Sequence, residues 1–512
     1  MTDSRPSGVA ALMTPADTIH LSRAPFRFLV TPTRRRPQDE SIHPHSEHRL
    51  TEETPMSRIV QWSITVALAG FLFGFDTAVI SGADQPIQAL WGLSDLQHGL
   101  LIMSMALWGT VIGAIGGNWP TDRLGRRATL LLIGMLYLVS AIGSALATDP
   151  YWFSLFRLLG GIGVGISSVA APTYISEIAP AKHRGTLVAL YQFNVVFGIL
   201  MAFISNYVVG GLFETNAWRW MLGIEIVPAL LYTLLISRVP RSPRWLILHR
   251  GDTQGAREVL LRLDPAADVD AQIAEIQAAE DSEERAHAGF FSGRYRLPIL
   301  LAFLIAFFNQ LSGINFIIYY APRVLEAAEL GANTALLSTA GIGLVNLVFT
   351  MLGMALIDRL GRRTLLYIGS AGYLVSLVLI SRAFFSGELG GLDVPLLLGL
   401  FIAAHAMSQG AIIWVFISEV FPNHVRARGQ SFGSSVHWVC AALIALLMPW
   451  VLGTFSGGPV FAFFAVMMAL QLVFVMFLMP ETKGVSLEEL QKRLVREPQG
   501  KREASSAAPQ RA

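Results

Sequence analysis

Asp76 is a charge set among aromatic and aliphatic neighbours. Phe71, Phe73 and Phe75 precede it in a long apolar stretch, and a charge at the centre of such a stretch costs about 2.5–3.5 kcal/mol on insertion scales. It needs a partner or a proton. Arg157, inside another apolar stretch, can supply the partner. Burial and a neighbouring guanidinium act on a carboxyl in opposite directions, so such a pair can be poised to take up and release protons. The plainer alternative is a permanent ion pair that only fixes helix packing. Glu225, within a third apolar stretch, is a second acid available to the same proton pathway.

A second group of charges is duplicated. Asp-Arg-Leu-Gly-Arg-Arg occurs at Asp122 to Arg127 and again, letter for letter, at Asp358 to Arg363, an offset of 236 residues. Glu177 is followed by Pro180 and Arg184, and Glu419 by Pro422 and Arg426, at an offset of 242. Two motifs repeating at one period describe a duplicated chain. Arginine makes forked bonds to carboxylate, so Glu177 and Glu419 are each expected to hold arginines of the repeated loops, Arg123, Arg126 and Arg127 or Arg359, Arg362 and Arg363. With Asp122, Asp358, Arg184 and Arg426 these residues form a candidate gate on one face. If the pairs form in one state only, they bias the protein toward the other face. The alternative is simple charge topology, since exposed ion pairs are often worth less than about 1 kcal/mol.

The elements that must position these groups are membrane helices. Of the 512 residues 53% are hydrophobic and only 14% charged, with mean hydropathy +0.51; soluble domains carry about 25% charged residues. A bilayer core needs roughly 20 apolar residues per helix, and twelve such runs can be counted: about 59–83, 98–120, 128–148, 151–172, 187–210, 219–238, 297–321, 333–357, 364–384, 395–418, 430–452 and 459–479. The expected fold is an all-α membrane protein of two pseudo-symmetric six-helix bundles, 56–238 and 297–480. Between them lies a cytoplasmic linker, 239–296, whose apolar spacing through Ala256, Val259, Leu260 and Leu263, and through Val269, Ile273 and Ile276, predicts two surface helices that latch the halves.

The basic blocks all fall on one side of the zigzag, while Asp84, Asp95, Asp149, Glu214, Glu388 and Asp393 fall on the other with only Arg219, Arg323 and Arg382. Both termini are therefore expected in the cytoplasm. The polar residues 1–55 read as a disordered extension, or as untranslated sequence if the start is Met56; residues 481–512 read as a cytoplasmic tail. Cys440 is the single cysteine, so no intramolecular disulfide can form. No cluster has metal-ligand spacing, no cofactor is expected, and the scattered basic residues do not suit nucleic acid. Gly161, Gly163 and Gly165 lack the preceding strand of a nucleotide loop and read as close-packing glycines. No phosphate-binding Gly-x-x-x-x-Gly-Lys-Ser/Thr occurs, so ATP is not expected to drive the protein directly.

Specific motifs then accumulate: Gly74 to Gly82 (GFDTAVISG), the doubled hexapeptide, Arg157 to Gly165 (RLLGGIGVG), Pro172 to Glu177 (PTYISE), Arg241 to Leu246 (RSPRWL), Gln310 to Asn315 (QLSGIN) with Tyr319-Tyr320, and Pro480 to Gly484 (PETKG). Over roughly residues 59–490 the chain resembles the sugar porter family of the major facilitator superfamily. It departs at Arg241, where the family usually has Glu, and at Asn118, where it usually has Gly.

The resemblance implies alternating access and a monosaccharide, hexose or pentose, as substrate. Proton-coupled members carry Asp at the place of Asp76, whereas many uniporters have a neutral residue. A sugar presents hydroxyls on its rim and an apolar face, which points to Gln192, Asn309, Gln310, Asn315, Tyr319, Asn346, Trp414, His437 and Trp438 as substrate-binding residues. Gln310 and Asn315 are about 140° apart on an ideal helix, so they can share a cavity only if the seventh span breaks at Ser312-Gly313. His437 replaces the amide of many glucose-type members, and His405 adds a second mid-membrane histidine. The expected function is monosaccharide import by proton symport, with the proton as coupling ion, by a monomer in the inner membrane. An uncoupled facilitator and a transport-inactive sugar sensor are the rivals.

Overall fold

The structure, a computed structural model, describes residues 55–180, 183–265, 268–283, 290–291, 293–387, 393–485 and 487–495. The extension before Pro55, the tail beyond Val495, Lys182 and Glu388 lie outside the described residues. Among those described there are helices and turns but no strand. Eleven helices, and one bent pair, are long and apolar enough to cross a membrane. Internal hydrogen bonding is the reason: a helix satisfies every backbone group without water.

Residues from Pro55 to Ile236 supply the first six spans and those from Arg296 to Phe477 the second six. In the N-terminal half the first span (Pro55–Trp91) lies along the fifth (Arg184–Leu212), and the fourth (Pro150–Ile178) packs between the second and the third (Arg126–Leu146). Glycines let these backbones meet. A Cβ on Gly74 would strike the Val195 carbonyl oxygen, and one on Gly198 would strike that of Phe71. Gly161 and Gly165 similarly face the backbone of the second span, at Ala106 and Thr110. They are packing residues.

Several spans are interrupted where the sequence reads as continuous. The second runs as a short helix, a π-helical turn over Gly99–Met103 and a longer helix, Met105–Gly116, bent by 41°. The sixth divides into Ala217–Gly223 and Ile226–Ile236, with Glu225 at the join. The seventh divides into Arg296–Leu311 and Ile314–Ala327, the expected break, with Gly313 at φ +90°. The tenth divides into Asp393–Met407 and Gln409–Val420 around Ser408.

The first span is longer than its apolar run. It continues through Pro86 to Trp91, so Asp84 is helical and does not belong to an outer loop. Arg323 likewise sits in the second segment of the seventh span.

Among its described residues the linker holds three α-helices, Pro243–Arg250, Thr253–Leu263 and Val269–Glu283, and a 3-10 turn, Gly293–Tyr295. The first was not expected; Ser242 caps it by accepting from the Trp245 N–H, and Pro243 opens it. The linker touches both halves: Phe290 meets Phe421 and Phe432 of the C-terminal half, with ring centroids 5.6 and 6.2 Å apart, while its helices pack on the N-terminal half. Trp245 lies over Gly125 and donates from Nε1 to the Asp122 carbonyl at 2.7 Å, and Tyr174 donates to the Pro240 carbonyl at 2.9 Å. The indole and these carbonyls tie the linker to the N-terminal half.

Candidate functional site: a buried charge cluster beside a polar cradle

Arg157 projects from the fourth span onto Asp76 of the first. Its Nη1 donates to the Asp76 carboxylate, and its Nη2 donates to the Asp76 carbonyl oxygen at 3.0 Å. Arg157 is 2% exposed and Asp76 1%. Glu225, at the break in the sixth span, is equally buried and lies against Asp76, and its Oε1 has no hydrogen-bond partner. One guanidinium neutralises one carboxylate, so this three-residue cluster is neutral with a single proton aboard. Tyr319, expected at the substrate, is placed here: it reaches from the seventh span to Thr77, one residue beyond Asp76.

The broken seventh span builds the cradle. Ser312 folds its hydroxyl back to the Asn309 carbonyl at 2.7 Å, and the left-handed Gly313 restarts the helix. That turn lets Asn315 donate to Gln310 Oε1 at 2.9 Å, while the Gln310 amide donates to Asn309 at 3.1 Å and contacts the His437 ring nitrogens at 3.0 and 3.1 Å. His437 stands between Trp414 and Trp438, with ring centroids 5.0 and 4.7 Å away. Trp438 in turn meets Phe73 of the other half at 5.6 Å, and its buried Nε1 has no partner. The result is an amide cluster walled by indoles.

The other expected substrate residues make no hydrogen bond to this cluster. Asn346 accepts from Thr350 on its own helix at 3.5 Å, and Gln192 is half-buried on the fifth span. His405 turns into the C-terminal bundle, where its Nδ1 is 2.6 Å from the Tyr373 hydroxyl.

On the cytoplasmic face the duplicated motifs fold alike. Gly125 and Gly361 both take positive φ, +86° and +93°, to turn into the third and ninth spans. Arg126 holds Glu177 at 2.8 Å and Asp122 at 3.2 Å; Arg362 holds Glu419 at 2.7 Å and Asp358 at 2.9 Å. Each pair stays within its own half.

The other described arginines of this face do not hold Glu177 or Glu419 in this structure. Arg123 lies over the Trp119 ring, 5.8 Å from its centroid. Arg127 donates to the Ser237 carbonyl and Arg363 to those of Val475 and Met476, the carbonyl-rich ends of the sixth and twelfth spans, which attract cations. Arg184 is exposed, and Arg426 keeps two buried nitrogens without partners. The Arg359 carbonyl, not its side chain, accepts from Lys483 Nζ at 2.5 Å.

A third duplicated group was missed by sequence reasoning. Ser242 donates to Glu177 at 2.5 Å, and Thr482 donates to Glu419 at 2.6 Å. Beside Thr482, Glu481 accepts the backbone N–H groups of Arg362, Arg363, Thr482 and Lys483 at 2.9–3.1 Å. Partial burial pushes its carboxyl up, but these four donors outweigh it and hold the group below the usual carboxylate range. Arg241, at the matching place in the first half, is exposed.

The halves meet at the opposite face. Arg323 Nε is 2.8 Å from Asp84 Oδ2, Gln85 donates to Glu326 at 2.7 Å, and Gly99 packs on the Leu446 backbone. The fifth and eighth (Ala332–Leu360) spans touch at mid-membrane and further out, through Leu200 and Phe203 on Gly343 and through Leu336 on Gly210. Among the described residues, no ion pair spans the halves at the cytoplasmic end. The contacts at the opposite face hold the outer mouth shut.

Two six-helix halves, a buried charge cluster and a polar cradle between them define a secondary transporter of the major facilitator class. The family described as "Sugar (and other) transporter" matches residues 62–494, and the chain belongs to it. It is 35% identical over 449 residues to the arabinose-proton symporter of Bacillus subtilis, covering 86% of this chain and 96% of that protein. It is 32% identical over 475 residues to the D-xylose-proton symporter of Escherichia coli K12, covering 85% and 95%. The inward-open structure of the xylose transporter XylE from E. coli superimposes with a TM-score of 0.76 at 31% identity, over 85% of this chain and 100% of that one.

Proposed function

We propose that the protein imports a monosaccharide together with a proton, alternating between outward- and inward-facing states in a bacterial-type inner membrane. The observation that carries this reading is the Asp76–Arg157–Glu225 cluster, fully buried and one residue from a contact with the opposite half. Protonation of Asp76 cancels its charge and frees the Arg157 Nη1 that held it, and the other carboxylate neighbour of Arg157 is Glu225. The cluster then exchanges one ion pair for another without leaving a bare charge in the membrane. Sugar enters the account through Tyr319 and the broken seventh span, which join this cluster to the amides of Asn309, Gln310 and Asn315.

The names of the relatives, symporters of arabinose, D-xylose and galactose, support a pentose or hexose substrate. The basic blocks on one face support cytoplasmic termini, and the site is complete within one chain, which supports a working monomer. Sugar added to proteoliposomes without an imposed gradient should alkalinise the outside. Uptake with no pH change, and no response to a proton gradient, would assign the protein to uncoupled facilitation.

A further inference from the structure

Asp84 stands eight residues beyond Asp76 on the same helix, about two turns toward the outer face, and the proton and sugar chemistry makes no use of it. It is 1% exposed. Its carboxylate faces a partner from each half. From its own half, His98 Nε2 is 2.6 Å from Oδ1, and His98 is wholly buried. From the other half, Arg323 Nε is 2.8 Å from Oδ2 and Nη2 is 3.2 Å from Oδ1.

Other polar groups close the ring. Arg323 donates to Gln88 at 2.5 Å, Gln88 donates to Asp95 at 2.7 Å, and Gln85 donates to Glu326. The Tyr320 ring lies 5.9 Å from the Arg323 guanidinium.

A carboxylate held once from each side is arranged for a hand-over. When the outer mouth opens, Arg323 departs with its half, and a desolvated carboxylate left alone there would be strongly unfavourable. His98 remains. Its Nδ1 has no partner, so Asp84 is the one hydrogen-bonding tie that orients the imidazole.

We propose that Asp84 is the outer latch of the transport cycle, with Arg323 as the partner that shuts it and His98 as the partner that keeps it paired when open. The two partners therefore act on the same equilibrium with opposite sign. Arg323 favours the inward-facing state, and His98 favours the outward-facing one. This rests on alternating access, but not on proton coupling or on which sugar is carried.

The test uses the full chain with Cys440→Ser and spin labels at Leu96→Cys and Glu329→Cys, both exposed outside the mouth, in lipid nanodiscs. Arg323→Gln and Asp84→Asn should raise the ratio of long to short distances about tenfold. His98→Leu should lower it. Arg323→Lys, and His98→Gln, which can still donate, should stay near the parent. An unchanged distribution in Arg323→Gln overturns the latch. A His98→Leu shift in the same direction as Arg323→Gln, or no shift, overturns the hand-over. Should His98→Leu fail to fold, Arg323→Gln against Arg323→Lys decides the latch alone. Loss of coupling in transport assays with these distance shifts intact would count against proton symport and leave the latch standing.

Discussion

Arg157 grips Asp76 at two points, the side-chain carboxylate and the backbone carbonyl of the same residue. The second bond survives protonation of the first. Arg157 therefore stays anchored to the first span through the cycle while its other donors become free, and Glu225 is the acid placed to receive them. Glu225→Gln should keep sugar exchange but flatten the dependence of uptake on the pH gradient, lowering the accumulation ratio several-fold. Uptake measured against an imposed gradient checks this; an unaltered gradient dependence would remove Glu225 from the pathway.

The cradle predicts a graded loss of affinity. Asn315→Ala removes an amide from the cluster and should weaken sugar binding about tenfold, the order of one lost hydrogen bond. Replacing Trp414 by Ala removes a wall and should cost as much or more. Asn346→Ala, which breaks no hydrogen bond of the cluster, should change binding less than about threefold. Titration of purified protein by isothermal calorimetry ranks the three.

On the cytoplasmic face the arginines should separate sharply. Glu177→Gln leaves Arg126 buried with one fewer anion and should destabilise the protein by roughly 1–3 kcal/mol. Arg123→Ala, on an exposed guanidinium over Trp119, should stay within about 0.5 kcal/mol. Thermal unfolding in detergent, followed by intrinsic fluorescence, distinguishes the two.

Glu481 makes a pH prediction. Its carboxyl is depressed in the folded state, so its contribution is present above the unfolded carboxylate value of about 4.3 and is lost as pH falls through the folded value. Glu481→Gln should therefore lower the midpoint of unfolding at pH 7 and narrow its gap from the parent below about pH 4. The first half has no such cap, because Arg241 stands in the matching place. Arg241→Glu should supply one to the third span and raise stability by about 0.5–1 kcal/mol. Melting curves of both variants from pH 3 to 8 decide the matter.

Much of this was legible in the sequence because membrane helices announce themselves by apolar length and because the halves repeat their charged motifs. The break at Ser312-Gly313 could be read from the need to bring Gln310 and Asn315 together. The break at Ser408 could not, since its cause is tertiary: Tyr373, Ser370 and Gln471 gather around His405 and Gln409 from other spans. The pairing of the cytoplasmic arginines was over-read for a related reason. Every arginine of the hexapeptide looks alike in sequence, yet only the middle one of each copy faces the glutamate, while the last faces carbonyls at a helix end. The outer latch was missed because an apolar count ends the first span at about residue 83, just before Asp84, and Arg323 read as a loop residue. Arg323, one of only three arginines among the acids of the poorly basic face, was the available signal.

The most direct test of proton coupling is Asp76→Asn, assayed for two activities in the same proteoliposomes. Energised accumulation of labelled sugar should vanish, while counterflow exchange at equal proton potential should persist. Loss of both together would contradict the account and make the Asp76–Arg157 pair a fixture of helix packing.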